Sequence, residues 1–164
     1  MFDLQPKNAS ADKTEIYLEL NEQLPLLIGD ERDFIANAAN FAALYFHGLP
    51  DLNWTGFYFV KNGELVVAPF QGKAACVRIK IGHGVCGTCA MRRETIIVPN
   101  VHEFSGHIAC DTASNSEIVV PLVKNGELLG VLDLDSPSFN RFDETDKKFL
   151  ECAAQIFVDK SDFE

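Results

Sequence analysis

Five cysteines, together with the carboxylates of Glu117, Asp133 and Asp135, are the candidate reactive residues of this sequence. One cysteine, Cys110, lies in the segment HIACDTASNSE among polar residues, with no periodic pattern around it. A free cysteine usually behaves as a small apolar residue of a protein core, so this polar company indicates chemistry rather than packing. Because a cysteine thiolate is a nucleophile, the sequence predicts a nucleophilic or redox role for Cys110.

Three carboxylates are expected to converge on one face of a β-hairpin. Asp133 and Asp135 alternate with leucines, which places both on the same side of a strand. Glu117 begins the preceding strand, and the turn at residues 124–126 folds that strand back towards the aspartates. Like charges held close raise one another's pKa, so the cluster predicts either a proton donor or a pocket for a cation.

A thiol beside carboxylic acids defines a possible reaction, in which the sulfur attacks a reducible compound and an acid supplies a proton. Trp54 and Tyr58 share one face of an early strand. Such an aromatic pair is core by default, and its alternative is to line a small pocket.

Two cysteine and glycine motifs resemble known sites without their context. Gly82, Gly84 and Gly87 match G-x-G-x-x-G, but the strand before them alternates with Arg78 and Lys80 instead of being buried. We interpret these glycines as a sharp bend of the backbone and predict no dinucleotide cofactor.

Cys86 and Cys89 form a lone C-x-x-C with His83 nearby, which could be half a zinc site or a redox pair. A structural zinc site needs a second pair of ligands, and a thioredoxin-like motif needs a βαβ context. We therefore predict no metal at this pair. Cys152 is interpreted as a small, partly buried residue on the flank of the last helix.

The bulk composition limits the classes of partner. The 164 residues are 47% hydrophobic with 13 Phe, which is typical of a single globular domain over residues 1–164, with 1–11 as a flexible segment. A net charge of -10 argues against binding to nucleic acid or an anionic membrane. The sequence has no apparent signal peptide, and an odd number of cysteines indicates thiols. We expect a cytoplasmic protein.

Periodicity predicts helices at both ends of the chain and strands between them. Residues 12–46 have helical spacing, and Pro25 and Gly29 are expected to separate two helical segments. The segment KNGEL occurs at residues 61–65 and 124–128, and each copy predicts a tight hairpin turn between strands.

Between the hairpins, alternation over residues 77–81 predicts a half-buried strand, with Cys76 on its polar side. A short helix over residues 88–93 and a strand at TIIVP follow. Residues 100–117 have no periodicity, and irregular stretches of this length are often functional. Asp143 is expected to cap the last helix.

Three segments resemble the free methionine-(R)-sulfoxide reductase family, whose members are single GAF domains. They are GKAACVRIKIGHGVCGTC, VPNVHEFSGHIACDTASNSEIVVPL and GVLDLDSPSFNRFDETD, and the resemblance extends over essentially the whole chain. It implies an α+β GAF domain, with a six-stranded antiparallel sheet flanked by helices, and a homodimer.

The resemblance also implies residue roles. The cysteine of GHIACD, here Cys110, is the nucleophile, Cys76 resolves the oxidised intermediate, and Cys86 is a third cysteine that can participate. Cys89 departs from the small apolar residue expected after GVCGT. The pocket residues implied for substrate binding are Trp54, Tyr58, Glu117, Asp133 and Asp135, with Glu117 and Asp135 also assisting protonation.

The activity implied is reduction of free L-methionine (R)-sulfoxide to methionine, through a cysteine sulfenic acid and an intramolecular disulfide that thioredoxin reduces. The alternative is a GAF module that binds a small molecule or senses oxidants without turnover. A purely structural domain would make the polar loop and the facing carboxylates coincidental.

Overall fold

The computed structural model describes residues 12–106 and 113–163. Cys110 and the N-terminal segment 1–11 lie outside these residues, so the predictions made for them stay predictions. The helices are α1 (Lys13–Ile28), α2 (Phe34–Gly48), α3 (Gly84–Arg92) and α4 (Glu144–Lys160), with a 3-10 helix at Val101–Glu103. The strands are β1 (Trp54–Lys61), β2 (Glu64–Gly72), β3 (Arg78–Lys80), β4 (Ile96–Val98), β5 (Ser116–Lys124) and β6 (Glu127–Ser136).

The strands form one six-stranded antiparallel sheet in the order β3-β2-β1-β6-β5-β4. Because β3 and β4 are consecutive in the chain but lie at opposite edges, the segment between them must cross the whole sheet. That segment contains α3, which therefore lies over one face. The predicted α+β architecture of a six-stranded antiparallel sheet flanked by helices is confirmed.

The period of two along the strands separates two cores. On β6, Leu132 and Leu134 face the core formed with α1, α2 and α4. Val131, on the opposite face, belongs to a second cluster that includes Val85 and Cys86 of α3. Burial of each large apolar side chain contributes roughly 1.5–3 kcal/mol of transfer free energy. These contributions on both faces hold the helices against the sheet.

The predicted hairpins are confirmed. Asn62 and Asn125 adopt positive φ angles of 54° and 53°, which the tight turns between β1 and β2 and between β5 and β6 require. Asp143 caps α4 as predicted, by accepting hydrogen bonds from the backbone N–H groups of Thr145 and Asp146.

The two predicted helical segments are confirmed, but they separate at Gly29 and not at Pro25. Pro25 lies inside α1, and the helix continues to Ile28. Proline removes only one intrahelical hydrogen bond here, and the burial of Leu24 and Ile28 on either side of it holds the last turn in place.

The strand predicted at residues 77–81 is confirmed at its centre, where β3 buries Ile79 between exposed Arg78 and Lys80, but it is shorter than predicted and Val77 is 65% exposed. The prediction for Cys76 is wrong. Cys76 precedes β3, so the alternation does not extend to it, and its side chain is half-buried against the second cluster. Cys152 is exposed rather than partly buried.

The short helix starts one turn earlier than predicted, at Gly84. Gly87 lies within this helix. A glycine is needed there because α3 passes so close to the carbonyl of Lys80 that a Cβ atom would clash. The glycines therefore serve close packing as well as a bend. Within 12–106 and 113–163, no helix combines the length and the apolar character that a membrane span requires.

Candidate active site

A pocket lies between α3 and the sheet face that carries the second core. Its wall includes six residues named from the sequence: Trp54, Tyr58, Cys86, Glu117, Asp133 and Asp135. Together they combine an aromatic side, an acidic side and a thiol.

The predicted convergence of the three carboxylates is confirmed. In the β5–β6 ladder Glu117 pairs with Asp135, and Val119 pairs with Asp133. Glu117 is therefore directly opposite one aspartate and diagonal to the other, on the same face of the sheet. The hairpin register places all three at the pocket.

The aromatic pair stands beside the acidic residues because β1 is the other neighbour of β6. Trp54 pairs with Asp135, and Gly56 pairs with Asp133. The rings of Trp54 and Tyr58 stack with centroids 5.9 Å apart, and the indole Nε1 donates to the carbonyl of Lys73 at 3.1 Å. This fixes the orientation of the indole as one wall of the pocket.

The Cys86 thiol projects from α3 onto the acidic pair. Its Sγ lies 3.3 Å from Oδ2 of Asp133 and 3.9 Å from Oε1 of Glu117, with geometry suited to donation. Cys89, one turn further along α3, instead donates to the backbone carbonyl of Val119 at 3.5 Å. The two cysteines of the C-x-x-C motif thus make different contacts.

Burial dominates the electrostatics of the site. Glu117 and Asp133 are each only 6% exposed. Burial, and then the charges of Asp133 and Asp135, raise the pKa of Glu117 well above its ordinary value. Burial also raises the pKa of Asp133, to about 7, while hydrogen bonds with Cys86 and Glu117 oppose that rise. Burial and mutual repulsion thus both favour a protonated carboxyl group within the acidic pair.

The Cys86 thiol is protonated at neutral pH. Burial raises the pKa of Cys86 well above its ordinary value, and the charges of Asp133 and Glu117 raise it further. A thiol of this kind is a hydrogen-bond donor rather than a nucleophile. Oδ1 of Asp133 is buried and has no hydrogen-bond partner among the described residues.

Cys76 is disulfide-bonded, whereas Cys86, Cys89 and Cys152 are free thiols. Cys76 directly follows Ala75, which lines the pocket, and the Cys76 side chain is half-buried. Cys110, the predicted nucleophile, lies outside the described residues.

Sequence reasoning did not assign two further residues to the pocket. Ser114 lines it and accepts a hydrogen bond from Nδ2 of Asn53 at 3.0 Å. His83, the N-cap of α3, also lines it, whereas the sequence pattern indicates only a zinc-ligand role for this residue. The polar composition of residues 100–117 was the available signal for Ser114. Nothing in the sequence shows that the α3 crossover brings His83 to this place.

Comparison with known proteins matches both the fold and the site-bearing segments. The GAF domain family model matches residues 22–157. The free methionine-R-sulfoxide reductase of Escherichia coli is 50% identical over 146 residues, which is 88% of each chain. The protein of the same name from Saccharomyces cerevisiae is 41% identical over 162 residues, covering 94% of this chain and 89% of that protein.

A solved structure shows the same similarity in three dimensions. It is the free methionine-R-sulfoxide reductase of Neisseria meningitidis in complex with its substrate. The two folds superpose with a TM-score of 0.91 at 41% identity, over 96% of this chain and 95% of that one.

Proposed function

Because this chain belongs to the free methionine-R-sulfoxide reductase family of GAF domains, we propose that it reduces free L-methionine (R)-sulfoxide to methionine. An oxidoreductase that acts on methionine sulfoxide is the activity that these relatives support.

The buried acidic pair is the observation that carries the proposal. Asp133 has one oxygen beside the Cys86 thiol and a second, buried oxygen without a partner among the described residues. A buried carboxylate without a partner is unfavourable unless a ligand compensates it. The α-ammonium group of a free amino acid is such a ligand, and a methionine within a peptide lacks it. The pocket therefore favours free substrate.

Glu117 is the proposed proton donor. Its raised pKa favours the protonated carboxylic acid, which is the form that a general acid must have. In the first step, the Cys110 sulfur attacks the sulfoxide sulfur and Glu117 protonates the oxygen. The oxygen then moves to the Cys110 sulfur as the substrate sulfur–oxygen bond and the transient sulfur–sulfur bond break. Methionine leaves, and Cys110 carries a sulfenic acid.

Cys76 is the proposed resolving residue. Its thiol would attack the sulfenic acid of Cys110, forming a disulfide and releasing water. Support comes from the disulfide-bonded state of Cys76 while the other three described cysteines are free. A dithiol such as thioredoxin would return both residues to thiols by exchange. Cys86, buried and protonated, would hold Asp133 in place and join the thiol exchange only secondarily.

The remaining parts of the proposal concern assembly and location. We expect the enzyme to act as a homodimer, as the family resemblance implies. We also expect it to act in the cytoplasm, where a reducing environment keeps Cys86, Cys89 and Cys152 as thiols.

Methionine release tests the function directly. Protein is mixed with dithiothreitol and free (R)-methionine sulfoxide, and the methionine formed is quantified for the wild type, Cys110→Ser and Cys152→Ser. We expect turnover in the wild type and in the control Cys152→Ser, whose thiol is exposed. We expect none in Cys110→Ser. A Cys110→Ser protein at the wild-type rate would overturn the assignment of the nucleophile.

A second substrate tests the role of the ammonium group. N-acetylmethionine (R)-sulfoxide carries the same sulfoxide without a positive charge, so kcat/KM should fall by at least a factor of ten. A sensor module would bind the free amino acid and release no methionine.

A further inference from the structure

Three donor atoms of types that bind transition metals meet in the pocket. They are Sγ of Cys86, on α3, and one carboxylate oxygen each from Glu117 and Asp133, on adjacent strands. All three lie within 4.8 Å of one another, and all three residues are buried.

Their separations fit a tetrahedral ion. With metal–sulfur bonds of about 2.3 Å and metal–oxygen bonds of about 2.1 Å, a tetrahedral angle places sulfur and oxygen about 3.6 Å apart. The observed distances from Sγ of Cys86 are 3.3 Å to Asp133 and 3.9 Å to Glu117. Shifts of a few tenths of an ångström would bring both oxygens into coordination distance.

A second observation points independently to a cationic ligand. Asp133 is only 6% exposed, and its Oδ1 has no hydrogen-bond partner among the described residues. A buried carboxylate oxygen in this state lacks compensating positive charge or a donor. An ion held by this carboxylate would supply that charge.

We infer that a thiophilic divalent cation, Zn²⁺ in particular, binds Cys86, Glu117 and Asp133 and excludes the amino-acid substrate from the pocket. Mixed thiolate and carboxylate donors suit Zn²⁺, whereas Mg²⁺ and Ca²⁺ prefer oxygen alone. On binding, the S–H bond of Cys86 and the O–H bond of Glu117 break, and both protons pass to solvent. No electrons are transferred, and the fourth position stays open to water.

This site differs from the zinc site that the C-x-x-C motif of Cys86 and Cys89 suggests. The C-x-x-C motif does not chelate through both thiols, because Cys89 donates to the carbonyl of Val119 instead. The sheet carboxylates take the place of the missing second pair of cysteines. Because the ion would occupy the position proposed for the substrate ammonium, the exclusion of substrate rests on the proposed function, whereas metal binding does not.

Metal binding can be measured on the disulfide form of the protein, in which Cys86 is free. No dithiol reductant is then needed to compete for the ion. The exposed Cys152 is replaced by serine throughout to remove a second thiol. Co²⁺ is titrated as a probe, and we expect one ion per chain with a thiolate-to-cobalt charge-transfer band. Zn²⁺ calorimetry in two buffers of different ionisation enthalpy should show proton release.

Matched variants assign the thiol. Cys86→Ser should abolish the charge-transfer band and weaken Zn²⁺ binding at least tenfold, whereas Cys89→Ser, one turn away, should keep both. Asp133→Asn should also weaken binding at least tenfold and serves as a second test if Cys86→Ser does not fold. Absence of a band in the parent protein, or a band that persists in Cys86→Ser, would overturn the site.

Competition tests the overlap with substrate. Free methionine sulfoxide should reduce the band more than an equal concentration of glycine, which chelates Co²⁺ through the same amino and carboxylate groups. Equal effects of the two amino acids would overturn the exclusion of substrate. A protein that binds Co²⁺ through Cys86 but never releases methionine would refute the proposed function and leave the metal site standing.

Discussion

Two buried aspartates on opposite sides of the sheet differ in how their charge is compensated. Asp146, at the start of α4, is fully buried and accepts hydrogen bonds from Tyr17 at 2.8 Å and Arg141 at 2.8 Å. Lys13 adds an ion pair at 2.7 Å, and the backbone N–H of Asp143 donates to the same carboxylate. Both oxygens of Asp146 therefore have strong partners.

Asp133 is nearly as buried, but its described partners are the Cys86 thiol and the Glu117 carboxyl group. The contrast distinguishes a charge that stabilises the fold from a charge in the pocket that we propose binds the substrate. A buried carboxylate that joins α1 to α4 stabilises the fold only when its partners are complete. A buried carboxylate whose oxygens lack partners lowers stability, and a ligand can supply the missing partner. Such a loss of stability is common at active sites.

The largest expected effect is on catalysis, from Glu117→Gln. The amide keeps the shape of the side chain but does not donate a proton as an acid, so kcat should fall by a factor of roughly 10²–10⁴. Unfolding should need no less denaturant than in the wild type, because a buried acid is removed. The control is Glu127→Gln, an exposed position on β6. A variant with the wild-type kcat would remove Glu117 from the mechanism.

The reverse pattern is expected for Asp146→Ala. The Arg141 side chain is only 8% exposed, and removing this carboxylate leaves it without its ion pair. Breaking a buried pair costs about 3–5 kcal/mol of unfolding free energy. Methionine release per folded molecule should stay within about twofold, because Asp146 lies on the far side of the sheet. Denaturant titration measures the first effect, with exposed Asp159→Ala as control.

If Asp146→Ala lost activity while keeping its stability, the distinction between the two aspartates would fail.

The pH dependence of stability distinguishes the two sides of the sheet further. The pKa of Asp133 is raised by burial to about 7, from an ordinary value near 3.8. Its contribution to stability is complete below the unfolded pKa and is lost as pH rises through the folded pKa. From about pH 4 to 7 the unfolding free energy should therefore fall, by at most about 1.4 kcal/mol per pH unit.

Asp133→Asn removes this titration. Relative to the wild type, the variant should gain stability as pH rises from 5 to 8, by about 1 kcal/mol or more. Denaturant midpoints at the two pH values measure it. A difference between variant and wild type that does not change with pH would contradict the buried ionisation of Asp133.

Local signals in the sequence predicted the hairpin that carries the carboxylates. The Asn125-Gly126 turn sets the register of β5 and β6, and the alternation around Asp133 sets the face, so the convergence with Glu117 follows from short-range rules. Pro25 shows where such rules fail, because burial on both sides of it outweighs one lost hydrogen bond.

The other half of the pocket depends on contacts that no spacing encodes. The Cys86 thiol reaches Asp133 only because β3 and β4 lie at opposite edges and α3 must cross between them. Strand order is a property of the whole chain. Sequence reasoning therefore left the contacts of Cys86 and the position of His83 undetermined.

The smallest expected effect concerns the cap of α4, on the side of the sheet opposite the pocket. Partial burial of Asp143 acts against its ionisation, but hydrogen bonds from Lys13 and from two backbone N–H groups hold its pKa at about 2. A depressed pKa gives stability that is present above the unfolded value and is lost as pH falls from about 4 to 2. Asp143→Ala should lower the unfolding free energy by about 1 kcal/mol at pH 7. At pH 2 the difference from the wild type should shrink, and an equal loss at both pH values would mean that packing rather than the charged cap is responsible.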